Sequence, residues 1–257
     1  MSRAAEEPGA ADSAGQPWAG RSFTPNAAAS DDGSADAALI AALNGFLAGT
    51  ALPEEVVSAF AAARLLIPLL AHAGELGTAP DGHLVDKTQE LSIVTVAGPD
   101  GRKVLPAFTS VETLSAWNPK ARPVPAVGPR VALAAASEQT ELIVIDPASP
   151  TEFVLRRPAV YALATGESWL PPERNPAVAA AFDQSIADEP DALGIELAAG
   201  DPSRRLHGAE LTVRLRLHDG LDRGALQLLT ARLSERWAAS REIANGVDSM
   251  ALQLVRA

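Results

Sequence analysis

The sequence predicts an α+β protein, a mixed central sheet carrying helices followed by a small C-terminal ββαβ unit. Three observations carry the prediction. Helix-period and strand-period stretches interleave between about residues 36 and 188. Beyond Pro190 the pattern becomes strict two-residue alternation on either side of one long amphipathic stretch. Finally, 47% apolar residues over 257 positions are enough for real cores.

Residues 1–35 are rich in Ala, Gly, Ser, Pro and Asp, with Trp18 and Phe23 as their bulky apolar groups. Such a stretch buries too little apolar surface to offset its ordering entropy, so a disordered tail is expected. Leu39, Leu43, Phe46 and Leu47 then recur at helical spacing, and Gly49 sits where a left-handed C-terminal residue is wanted. Pro53-Glu54-Glu55 opens a second helix, with proline in the first turn and carboxylates at the positive end of the dipole. Leu65–Leu70 is a nearly all-apolar strand, and Pro68 inside it predicts an edge strand or a bulge. Residues 90–96 and 102–107 read as a hairpin about Gly98-Pro99-Asp100-Gly101. Ser110 is expected to cap a helix, with Thr113 in the position of a capping-box glutamate. Pro123–Pro125 is an extended stretch, Gly128-Pro129 opens an alanine-rich helix, and residues 141–145 form a strand that ends at Asp146-Pro147. A short strand over 151–155, a short helix over 158–164 and an amphipathic helix over 175–187 complete this block.

In the last part, Leu193, Ile195 and Leu197 alternate, as do Leu211, Val213, Leu215 and Leu217, and later Met250, Leu252 and Leu254. Between them, Leu221, Ala225, Leu228, Leu229 and Leu233 form a helical stripe behind an Asp219 cap. Charge changes with pattern. Residues 37–189 hold 17 acids and 10 bases, whereas residues 190–257 hold nine of each. The expected organisation is therefore a tail over 1–35, an α/β domain over 36–188 and a ββαβ domain over 189–257.

Composition excludes several chemistries. With no cysteine there is no disulfide framework, thiolate zinc site, iron–sulfur cluster or cysteine nucleophile. A net charge of −11 argues against general nucleic-acid binding. The N-terminus has no apolar signal core and no segment is long and apolar enough to span a bilayer, so a cytoplasmic location without membrane contact is expected. Free use of alanine, with only three lysines among 21 basic residues, reads as a GC-rich bacterial coding bias. Phosphate-loop, dinucleotide, H-E-x-x-H and G-x-S-x-G motifs are all missing, so no catalytic residue, metal ligand or cofactor is assigned. Of the four histidines, His72 and His83 are the pair that turns around Glu75 or Asp81 would bring together, but surface positions are the simpler expectation. Arg214, Arg216 and His218 share the outward face of one strand, preceded by Arg204 and Arg205, and form a candidate interaction patch.

The segment Val104–Trp117, a strand ending in Leu-Pro-Ala-Phe-Thr-Ser and then a capped helix reaching a tryptophan, resembles the signature of the SseB family. Residues 63–70, 89–108 and 141–163 resemble the same N-terminal domain in order and spacing, and the likeness runs over about residues 36–172. The unit beyond 190 is similar to the C-terminal domain of many members. The family takes its name from enhanced serine sensitivity. The resemblance implies a cytoplasmic α/β protein without established activity or cofactor, so no catalytic position carries over. Phe108, Thr109, Ser110 and Trp117 are the family-motif residues and the candidate lining of a cleft; packing and helix capping are their simplest roles. The expected function is non-enzymatic binding, an adaptor for an unidentified protein partner or for self-association. The alternative is a small-molecule sensor in amino-acid metabolism.

Overall fold

The computed structural model describes residues 31–72, 76–78, 84–86 and 90–256. The tail with Trp18 and Phe23, and the residues His83, Glu75 and Asp81, lie outside the described residues, as does the side chain of His72. Residues 33–257 form one compact unit with the α+β architecture expected.

Helices α1 (Ala37–Leu47) and α2 (Pro53–Ala62) come first. Asp36 caps α1 by accepting from the Ala38 and Leu39 amides, and Gly49 takes the left-handed φ of +71°. The chain continues as β1 (Arg64–His72), β2 (Leu76–Thr78), β3 (Leu84–Asp86), β4 (Glu90–Ile93), β5 (Val96–Ala97) and β6 (Lys103–Ala107). Next come α3 (Val111–Trp117), β7 (Arg122–Val127), α4 (Gly128–Ser137), β8 (Ile143–Ile145), β9 (Phe153–Leu155) and α5 (Arg157–Thr165). A 3₁₀ turn over Pro172–Arg174 leads to α6 (Pro176–Ser185), β10 (Ala192–Ala199), β11 (Leu211–Leu217), α7 (Arg223–Ala239), α8 (Arg241–Gly246) and β12 (Met250–Arg256).

The edge placement expected of Pro68 is corrected by the topology. β1 is the middle strand of the sheet β4-β1-β7, and Pro68 is buried in it. Pro68 stands opposite Pro123 of β7, while its carbonyl turns the other way and accepts from the Val94 amide at 3.2 Å. At such a non-hydrogen-bonded pair neither proline is asked for the N–H it lacks. The hairpin about Gly98–Gly101 forms, but its first strand divides: β4 joins β1, and only β5 pairs with β6.

The second sheet, β5-β6-β8-β9, is buried on both faces along β6, β8 and β9. Leu105, Ala107, Ile143, Ile145, Phe153 and Leu155 face the core beneath α1, α2, α4 and α5, while Val104, Val144 and Val154 face the other way. Continuous apolar runs such as Leu142–Ile145 are the sequence signature of a strand covered twice. Helix α4 starts hard against α2: a Cβ on Gly128 would lie 2.1 Å from the Phe60 carbonyl oxygen, which only glycine avoids. In the third sheet, β10-β11-β12, β10 runs antiparallel and β12 parallel to the central β11. Leu229, Leu233 and Trp237 of α7 pack on the buried face of β11, and Trp237 meets Phe182 of α6 edge-on at 5.3 Å.

Candidate functional site

The four family-motif residues do not line one cavity. Phe108 is fully buried, its ring 5.2 Å from that of Trp117, in a cluster with Leu66, Leu114 and Ala121. Its backbone exchanges two hydrogen bonds with Leu66, which joins the first two sheets. Thr109 is also buried, and both its amide and its hydroxyl donate to the Asp146 carboxylate, at 2.8 and 2.7 Å. Asp146 is itself fully buried at φ +43° and accepts a third bond from Thr151, so this carboxylate fastens the ends of β6 and β8. Ser110 caps α3 by accepting from the Thr113 amide at 3.1 Å, and Thr113 closes the capping box as expected. Trp117 alone among the four borders a hollow, of about 290 Å³, beside Val96, Val144 and Leu206.

The candidate patch on β11 is spread over different roles. Arg214 pairs with Glu196 at 2.9 Å and donates to Gln253, while Arg216 and His218 are exposed. Arg204, expected just ahead of that patch, is buried instead. It donates to Glu173 (3.2 Å) and Glu210 (3.5 Å), and its guanidinium lies 5.4 Å from the centre of the Trp169 ring.

Arg204 belongs to a charge network that no sequence motif signals. Arg156, among the largest fully buried side chains, donates to Asp201 (2.7 Å), Asp248 (3.2 Å), the Gly208 carbonyl (2.7 Å) and the Ser249 hydroxyl (3.2 Å). Its Nε finds no partner. Arg102 holds the same Asp248 through both terminal nitrogens, at 2.9 and 3.0 Å. Burial works to raise the Asp201 and Asp248 carboxyls, but their hydrogen bonds to Arg156 and Arg102 outweigh it and hold both below the usual range. Glu210 goes the other way. Burial pushes it up to about 7, although it accepts the Asp248 amide at 2.7 Å. The loop between β10 and β11 that carries Asp201, Arg204 and Glu210 also lays Leu206 on the outer face of the second sheet, with Arg204 and Leu206 both at left-handed φ.

Clustered titratable groups suggest chemistry, yet here the carboxylates face guanidiniums over ion-pair distances, which is a structural staple. A more receptive feature is the cleft of about 600 Å³ between α4 and α5. Its floor is apolar, from Ala132, Ala136, Leu142, Val160 and Ala164, because alanines on both helices leave room where larger side chains would close it. Arg102, Lys103 and Arg157 stand on its rim with the 64%-exposed Tyr161. That volume is in the range of small-molecule and peptide side-chain pockets. Sequence reading missed this cleft, since alanine-rich helices carry no chemical signal.

Among the described residues no helix is long and apolar enough to cross a membrane, and no group of three or more His, Asp or Glu side chains is placed to hold a metal ion. In comparisons with known proteins, residues 36–162 match the family described as SseB protein N-terminal domain. No curated protein and no solved structure matches the chain.

Proposed function

The chain belongs to the SseB family through residues 36–162, and on that premise we propose that it is a non-enzymatic binding protein, an adaptor of the bacterial cytoplasm. The observation that carries the reading is the α4–α5 cleft, whose lining lies in the family domain except for Ala164. It offers an apolar floor and a donor-rich rim to an incoming side chain, while the acidic groups of the molecule that are buried serve to hold its parts together. The division into a 36–188 domain and a 189–257 domain is part of this proposal. The second domain is the module for self-association, fixed to the first by Leu206 and the Arg156 network.

The test uses the full chain as bait in native lysate, beside an Ala136→Trp variant that fills the cleft from an exposed position of α4. A partner retained by the unmodified chain and lost on the variant supports the adaptor reading. Equal recovery on both baits, or turnover of any metabolite by the pure protein, refutes it. The rim, which carries Glu141 beside Lys103 and the two arginines, favours a second reading, a sensor of small zwitterionic metabolites such as amino acids. A ligand at a hundred times its Kd stabilises by ~2.7 kcal/mol, so no rise in melting temperature with millimolar amino acids would dismiss that reading.

A further inference from the structure

We infer that β12 is the seam of a homodimer, in which two copies of this chain join their three-stranded sheets into one of six strands. β12 is an edge strand of seven residues, all of them exposed. Its Met250, Leu252 and Leu254 share a face with the buried Leu211, Val213 and Leu215 of β11, yet remain 36–44% exposed because α7 covers β11 and stops short of β12. Proteins blunt such edges with proline, lysine, a bulge or a covering loop. Among the described residues β12 has none of these, and its single charge is Arg256 at the strand's end.

The backbone says which groups are free. The Leu211 amide donates to Ser249, so in the parallel ladder Ser249, Ala251, Gln253 and Val255 turn their polar groups toward β11. The N–H and C=O groups of Met250, Leu252, Leu254 and Arg256 therefore point outward. A second copy pairs antiparallel about a two-fold axis at Gln253. Leu252 then stands opposite the partner's Leu254, Ala251 opposite the partner's Val255, and Met250 opposite the partner's Arg256. Apart from Gln253 on the axis, every facing pair is apolar or mixes Met with the stem of Arg, and no like charges meet. Gln253 faces itself, its oxygen already accepting from Arg214 at 3.4 Å and its amide N–H groups available to the partner's Gln253.

The surface beside the strand is compatible. A groove of about 390 Å³ runs between β12 and helices α7 and α8, lined by Trp237, Ala238, Ile243, Val247 and Leu252. Its one charged residue, Arg157, donates to the carbonyls of Ala244 and Val247. Strand and groove together make roughly half of the ~20–30 residues a side that a standard stable interface uses, so the dimer is concentration-dependent, in the micromolar class.

The test is sedimentation of the full chain at about 5 and about 200 µM, a span that crosses a micromolar Kd. The unmodified chain is expected to shift from monomer toward dimer, and Leu254→Lys to stay monomeric at both concentrations with unchanged low-concentration melting. Because the chain has no cysteine, a second measurement fixes the register. At a non-hydrogen-bonded antiparallel pair the two Cα atoms lie ~4.5 Å apart, within disulfide reach, so Gln253→Cys is expected to oxidise to a covalent dimer. Ala251→Cys, whose counterpart lies roughly 14 Å away along the strands, is not. A monomer at both concentrations overturns the inference and leaves the edge to a foreign strand. Cross-linking at 251 as fast as at 253 overturns it as well.

Discussion

Replacing Arg156 by methionine removes the cation at the centre of the buried network while keeping an unbranched apolar stem. Asp201 and Asp248, whose side chains are 2% and 1% exposed, then lose a hydrogen-bonded partner each. Asp248 keeps the paired donation of Arg102, but no other guanidinium contacts Asp201. Breaking a buried pair on one side costs about 3–5 kcal/mol, and the bond to Gly208 adds about 1 kcal/mol. For a chain of this size that corresponds to a fall in melting temperature of roughly 10–15 °C. The assay is urea unfolding followed by tryptophan fluorescence in two backgrounds, each keeping one of the chain's four tryptophans, Trp169 or Trp237, on either side of residue 188. In the variant the two signals are expected to separate, since the staple between residues 36–188 and 189–257 is loosened. Combining Arg156→Met with Asp201→Asn is expected to recover much of the loss, because an uncharged set no longer strands a buried anion. A single-variant loss below about 1 kcal/mol, or no recovery in the pair, refutes the assignment of this network as a structural staple.

Leu206→Ala removes the only side chain that the β10–β11 loop contributes to the outer-face core, and is expected to cost about 2–5 kcal/mol in urea unfolding. The Val154 amide, which donates to Arg204 at 2.8 Å, is expected to lose hydrogen-exchange protection with it. Thr109→Val leaves Asp146 without its 2.7 Å hydroxyl donor and is expected to cost about 1–3 kcal/mol, whereas Thr109→Ser retains most of the stability by the same measurement. Glu210, raised by burial to about 7, favours the folded state while protonated, so stability falls as pH rises from about 5 to about 8, by about 2–3 kcal/mol. Glu210→Gln is expected to flatten that slope in melting curves recorded across the window. Asp201 and Asp248, both held low, act in the opposite sense, and their contribution disappears only as pH drops below about 4.

The elements that the sequence displays are those whose determinants lie within a few residues. The Asp36, Ser110 and Asn175 caps, the prolines that open α2, α4 and α6, and the turn at Gly101 all act locally. Strand partnership is not local. Nothing between Glu90 and Ala97 says that the first half pairs with β1 and the second with β6, and the edge reading of Pro68 fails because its partner, Pro123, lies 55 residues away. α8 escaped notice because six residues are too few for a period, although Ser240 caps it. The motif stretch Phe108–Trp117 was legible as a strand end and a helix start. Its partner Asp146 was read only as the end of a strand, since a lone aspartate before proline looks like a turn.

The same separation hides the charge network, and its composition explains the one group that departs most from ordinary behaviour. Three guanidiniums, from Arg102, Arg156 and Arg204, face five carboxylates, from Asp100, Asp201, Asp248, Glu173 and Glu210. Arg102 and Arg156 take the two aspartates in close pairs of 2.7–3.2 Å, and Arg204 meets Glu173 at 3.2 Å. Glu210 is left with the longest contact, 3.5 Å, and with the negative charge of Asp248 nearby. With carboxylates in excess of the cations, the one fully out of water and least closely paired takes up a proton where a solvated glutamate would not. Sequence counting gives residues 190–257 no net charge, and some of their acids and bases pair with one another, Glu196 with Arg214 and Glu210 with Arg204, but the two buried aspartates find their cations elsewhere. Asp201 is neutralised by Arg156, 45 positions upstream, and Asp248 by the same Arg156 and by Arg102, 92 and 146 positions upstream. The two buried aspartates therefore take their electrostatic balance from arginines far upstream, which is why the full chain, rather than either part, is the object on which binding and assembly have to be measured.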